Sequence, residues 1–83
     1  MQRILIVEDD REIALLERDY LEINGFETEI IPDGPQAVTA ILEGSFDLVL
    51  LDLMLPGCDG YEICRQVRER VDIPILMVTA RVE

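Results

Sequence analysis

The sequence predicts an α/β fold in which a parallel sheet carries helices on both faces, giving three layers. Three observations support it. Strand-like and helix-like stretches alternate along the 83 residues in the order β-α-β-α-β-α-β. Two of the strand-like runs, Arg3–Val7 and Asp47–Leu51, are apolar without alternation, as in strands buried on both faces. No internal repeat or low-complexity linker interrupts the order. Strands that alternate with helices form parallel sheets with right-handed crossovers.

The elements follow in turn. Arg3–Val7 is the first strand and ends in three acids, Glu8, Asp9 and Asp10. A helix is expected from about Arg11 to Ile23, where Ile13, Leu16, Tyr20 and Ile23 make one apolar stripe. Asn24-Gly25 stops it. Phe26–Ile31 alternates and carries Glu27 and Glu29, which suits a half-exposed edge strand. Asp33-Gly34-Pro35 caps a second helix, with Pro35 at its first position. Ala37, Val38, Ile41 and Leu42 are its buried face, and Gly44 ends it. Asp47–Leu51 is the third, central strand, followed by a loop from Leu53 to Asp59. A third helix runs from about Gly60 to Arg70 with Ile63, Cys64 and Val67 inward. Ile73–Val78 is the last strand, ending at Thr79-Ala80.

Composition narrows the function. The length makes one domain near the small end of what folds alone. An apolar fraction of 49% argues against disorder. No apolar run approaches the roughly 20 residues that span a membrane, and no signal peptide precedes the first strand, so the cytoplasm is the expected location. Cys58, in the loop, and Cys64, on a helix, have neither zinc nor redox spacing, and there is no histidine. They are expected to be reduced thiols. Eighteen acidic against seven basic residues give a net charge of −11. That weighs against nucleic-acid contact by this segment and favours a cation or a basic partner surface.

Function in such sheets gathers at the carboxyl ends of the strands. Here those ends carry Glu8-Asp9-Asp10, Asp52 and Thr79. If the first and third strands are neighbours, Glu8, Asp9 and Asp52 meet. Clustered carboxylates repel unless one stays protonated or a cation joins them. A hard divalent ion with oxygen ligands answers this, and Mg²⁺ fits best. A carboxylate beside Mg²⁺ can attack a phosphoryl group to form an aspartyl phosphate, and Thr79 can hydrogen-bond a phosphoryl oxygen. Taken singly, Asp9 or Asp10 could be a helix N-cap, Asp52 a turn former and Thr79 a structural hydroxyl. Together they are hard to ascribe to chance.

These residues resemble the receiver domains of bacterial two-component response regulators. Ile4-Leu-Ile-Val-Glu8-Asp9-Asp10 is similar to the family's first strand and acidic pair. Asp47-Leu-Val-Leu-Leu-Asp52-Leu-Met-Leu-Pro56-Gly57-Cys58-Asp59-Gly60 is similar to its phosphoacceptor segment, and Pro74-Ile-Leu-Met-Val-Thr79-Ala80-Arg81 to its fourth strand and switch threonine. The wording around Thr79 and Pro56 resembles the transcription-factor subfamily with a winged-helix output domain. The resemblance implies a flavodoxin-like strand order of 2-1-3-4. It implies that Asp52 takes a phosphoryl group from a sensor histidine kinase. Glu8 and Asp9 would be the metal pair, the Met54 backbone carbonyl a further Mg²⁺ ligand, and Thr79 the switch hydroxyl. Asp10 needs no role beyond capping, and Pro56 and Gly60 shape the loop. Such a domain switches an output domain and is a signalling module rather than an enzyme, although family members catalyse their own phosphotransfer and dephosphorylation.

The resemblance also implies a departure. Family members continue for roughly another third of a domain, through a fourth helix, a fifth strand and a fifth helix. The fifth strand brings a lysine that contacts the phosphoryl group and an aromatic residue that reports the switch. These 83 residues hold no lysine, every basic residue being arginine. Residues 1–83 are therefore read as a receiver domain truncated after its fourth strand. Weakened phosphotransfer, retained Mg²⁺ binding and self-association through the fourth-strand edge are expected. Three other readings compete. An aspartate-nucleophile phosphatase typically needs a second acid two residues after the nucleophile, where this chain has Met54. A flavodoxin-like carrier needs a phosphate-cradling loop where this chain has three acids. A non-catalytic folding or dimerisation module would leave the acids vestigial.

Overall fold

The computed structural model describes residues 2–55 and 58–78. Nine elements follow one another: β1 (Arg3–Val7), α1 (Arg11–Ile23), β2 (Glu27–Ile31), α2 (Gly34–Glu43), β3 (Leu48–Asp52), β4 (Met54–Leu55), β5 (Cys58–Asp59), α3 (Gly60–Arg68) and β6 (Ile75–Val78). The main sheet is parallel, in the order β2-β1-β3-β6. This is the expected order of four parallel strands, with β1 and β3 neighbours at the centre and the charged β2 at one edge. Among the described residues β6 pairs only with β3.

Register sorts the side chains onto two faces. Ile4 pairs with Leu48 and Ile6 with Leu50, and these residues lie on the α1 side together with Leu76, the partner of Leu50. Leu5, Val7, Val49 and Leu51 point the other way and join Ala37 and Ile41 of α2 and Ile63 and Val67 of α3 in one buried cluster. Local chemistry agrees with these elements. Asp10, Asp33 and Asp59 cap the three helices, each accepting backbone N–H groups of the first turn. Arg3 closes the opposite end of the sheet. It lies within 4 Å of Glu27 and Glu29 of β2, and its guanidinium sits 4.6 Å from the centre of the Phe46 ring.

Three expectations need correction. The apolar stripe of α1 does not face the sheet: Leu16 and Tyr20 are each 70% exposed and Ile23 is 84% exposed. The helix docks instead through Ala14, which is buried against the sheet. Among the described residues it packs on β1 and β2 without another helix beside it, so only a narrow strip of its surface is enclosed, and a small residue lets it sit close. Second, the segment after Asp52 is not an open loop. Met54–Leu55 and Cys58–Asp59 form a short antiparallel ladder, Met54 opposite Asp59 and Leu55 opposite Cys58. Leu55 drops into the core and ties the ladder down. Third, α2 begins at Gly34 rather than Pro35, and Asp52 belongs to β3 itself rather than following it. Thr79, Ala80 and Arg81, like Pro56 and Gly57, lie outside the described residues.

The two sides of the sheet should differ in their sensitivity to truncation. Ile63→Ala, which empties a fully enclosed site, is expected to lower the unfolding free energy by about 3 kcal/mol. Leu16→Ala, on the open stripe, should change it by less than about 0.5 kcal/mol. Urea denaturation of both variants checks this, and equal losses would contradict the α1 placement.

Candidate functional site: an acidic centre at the carboxyl edge of the sheet

The site grows out of strand parity. Glu8 continues the face of Ile4 and Ile6, and Asp52 continues the face of Leu48 and Leu50 on the neighbouring strand. Both carboxyl groups therefore emerge side by side at the carboxyl edge of the sheet. Among the described residues they are also the buried charged ones, Glu8 at 3% exposure and Asp52 at 4%. Asp9, half-buried, stands beside them. One carboxylate oxygen from each of Glu8, Asp9 and Asp52 lies within 4.8 Å of the others.

Asp10 takes a different direction. Its Oδ1 accepts from the amides of Glu12 and Ile13, so capping occupies it. Its own backbone N–H donates to Glu8 Oε2 at 3.1 Å. The Asp52 carboxylate is held in the same way, with Met54 N–H donating to its Oδ1 at 3.1 Å. Gly60 backs this arrangement. A Cβ there would come within 2.9 Å of the Asp52 carbonyl oxygen and 3.0 Å of Leu53 Cα, so no side chain fits. The backbone N–H of Leu53 donates to Val78 O and that of Gly60 to Leu53 O, which ties the turn to both β6 and α3.

Electrostatics follow from burial. The Glu8 carboxyl is pushed up from 4.5 to about 7, chiefly because burial strips its water. The Asp10 amide opposes this, while Asp52 adds to it through a shared hydrogen bond and its charge. Glu17, which the sequence reading passed over, is also raised, first by burial and then by the charge of Asp52. Its signal was its place one turn after Ile13, on the inner half of a helix whose acids otherwise face water. Thr79 lies outside the described residues, and the side chain of Met54 points away, half exposed.

The donor set is entirely oxygen, with no imidazole or thiolate. This suits a hard divalent cation such as Mg²⁺ and does not suit zinc. Mutual repulsion among three carboxylates, two of them buried, gives such a cation its binding energy.

Comparison with known proteins agrees with this geometry. The family model of the response regulator receiver domain matches residues 4–83. The chain belongs to that family. Over 82 residues it is 49% identical to the DNA-binding response regulator MtrA of Mycobacterium tuberculosis, covering 99% of this chain and 36% of MtrA. It is 46% identical to the transcriptional regulatory protein ResD of Bacillus subtilis, covering 98% of this chain and 34% of ResD. The chain thus spans about a third of the length of these relatives. Among solved structures it is similar to the response regulator TrrA of Thermotoga maritima, which was crystallised with Mg²⁺-BeF. That match has a TM-score of 0.93 at 34% identity, over 98% of this chain and 71% of TrrA.

The raised carboxyls set a pH dependence. Without added cations, the folded chain keeps a proton on Glu8 that the unfolded chain has already released between pH 4.5 and about 7. The folded state binds more protons across that window, so stability falls as pH rises through it. Glu17 acts in the same sense. Glu8→Gln is expected to flatten most of this slope in thermal melts taken in a chelating buffer. An unchanged slope in that variant would contradict the assignment.

Proposed function

We propose that this chain is the phosphoacceptor part of a two-component response regulator. It would take a phosphoryl group from a sensor histidine kinase onto Asp52 with Mg²⁺ and pass the change to an output domain. The observation that carries the reading is the meeting of Glu8, Asp9 and Asp52 at one edge of the sheet. Family membership and the Mg²⁺-BeF complex of TrrA support it.

The residues divide the work. Glu8, Asp9 and Asp52 would hold the cation, with the Met54 carbonyl as a further oxygen ligand. When bound, Mg²⁺ offsets the charge of the carboxylates and of an incoming phosphoryl group. Asp52 is the nucleophile. Met54 N–H on Oδ1 fixes the orientation of its carboxylate, and burial removes the water that would otherwise blunt it. Asp9 is the more accessible ligand, while Glu8 contributes from beneath, through its charge or a bridging water. The hydroxyl of Thr79 is assigned to a phosphoryl oxygen on activation. Asp10 stays a cap.

The reading extends to the parent protein. MtrA is a DNA-binding regulator, so the output domain is proposed to bind DNA while this acidic segment does not. No helix among the described residues is long and apolar enough to cross a membrane, and the cytoplasm is the proposed location. The chain is a signalling module whose modified residue is its own Asp52.

Acetyl phosphate with millimolar Mg²⁺ is expected to add one phosphoryl group to the wild-type chain and none to Asp52→Asn, read by intact mass. Labelling of these 83 residues alone should be slow, since the basic residue that faces the phosphoryl group in the family is not among them. Equal labelling of the two proteins would contradict the assignment.

A further inference from the structure

Besides Leu55 in the core, the ladder that carries Met54 has two anchors, and one of them is the turn of backbone beside Asp52. The other is at the N-terminus of α2. A Cβ built on Gly34 would lie 2.6 Å from Cys58 Cβ, closer still to its Sγ, and 3.4 Å from Ile63 Cδ1. The backbone of Gly34 needs no special conformation, since among the described residues the glycine with positive φ is Gly25. Glycine is required at 34 for space alone. The Cys58 side chain seats directly on the Gly34 backbone, where α2 meets β5.

Position along the ladder gives this seat a consequence. Cys58 lies opposite Leu55, and the next pair is Asp59 opposite Met54. Met54 N–H holds Asp52 Oδ1. Asp59 caps α3, so the far strand of the ladder cannot slide without uncapping that helix. Gly60 fixes the ladder against the Asp52 carbonyl from below. With Leu55 holding β4 in the core, the depth of Cys58 on Gly34 bears on how far β5 leans toward α2.

We propose that the seat of Cys58 on Gly34 is a positioning contact for the acidic centre: through it, α2 fixes the height of the β4–β5 ladder and with it the grip of Met54 N–H on Asp52. A side chain at 34 would lift Cys58, draw Met54 off Asp52 Oδ1 and displace the Met54 carbonyl. Cation affinity would fall although no ligand is altered. The part concerning the cation rests on the Mg²⁺ reading above; the part concerning Met54 does not.

Two readouts on five proteins test this: wild type, Gly34→Ala, Cys58→Gly, the double variant and Cys58→Ser. The first is hydrogen exchange at the Met54 amide by NMR, without metal. Gly34→Ala should speed it at least fivefold relative to core amides of β1. In the Cys58→Gly background, the same substitution should have no further effect, because nothing remains for the new methyl to strike. The second is Mg²⁺ affinity by calorimetry, which should fall at least fivefold in Gly34→Ala and show the same epistasis. Cys58→Ser, which keeps the seat, should match wild type in both. Should Gly34→Ala fail to fold, Cys58→Gly alone carries the test, since emptying the seat should also loosen the Met54 amide. Met54 exchange unchanged in Gly34→Ala, or in Cys58→Gly where that variant carries the test, would overturn the proposal, whatever happens to melting temperature. A wild-type chain that binds no Mg²⁺ would overturn the metal reading, and the exchange result would still decide the seat.

Discussion

Two carboxyl groups buried side by side are a liability in any small protein, and here Glu8 and Asp52 are both nearly sealed from water. Each would lose several kcal/mol of hydration if ionised without compensation. The surroundings supply partial compensation through single backbone amides, Asp10 N–H for Glu8 and Met54 N–H for Asp52. That is too little for two charges in contact, and the response is visible in Glu8, whose proton is held to about pH 7. The rest of the fold is arranged around this unresolved repulsion. A parallel sheet sets β1 beside β3, parity aims both acids upward, and Asp9 adds a third oxygen donor from the loop. A hard cation would resolve the repulsion.

The helices serve this centre in different ways. Asp10 at the start of α1 is a cap, and its amide is what steadies Glu8, so helix initiation and site geometry share one residue. The start of α3 is placed by Asp59 and Gly60, and Gly60 is pressed against the carbonyl of Asp52. The start of α2 reaches the same ladder through Gly34 and Cys58. The N-termini of α1 and α3 thus touch the acidic residues themselves, and that of α2 touches the ladder beside them.

Much of this was legible in the sequence because it depends on local pattern. Unbroken apolar runs gave central strands, alternation gave an edge strand, and Asp10 and Asp33 read as caps. The meeting of Glu8, Asp9 and Asp52 followed from topology once β1 and β3 were neighbours. What could not be read depends on packing between segments distant in the chain. The stripe of Ile13, Leu16, Tyr20 and Ile23 is periodic, but periodicity does not say which side of a helix meets the sheet, and Ala14 has too little hydrophobicity to mark itself. The loop after Asp52 held a ladder because Leu55 found the core, which no turn rule reveals. Gly34 reads as part of the turn that caps α2; its use as a seat for Cys58 appears only when α2 and β5 are brought together.

Mg²⁺ bound where Glu8, Asp9 and Asp52 meet would displace the proton that burial holds on Glu8. Calorimetric titration of Mg²⁺ at pH 6.5, in two buffers of different ionisation enthalpy, measures that exchange directly. One binding event that releases a large fraction of a proton is expected, with no such release in Glu8→Gln. Binding without proton release, or no binding, would contradict it.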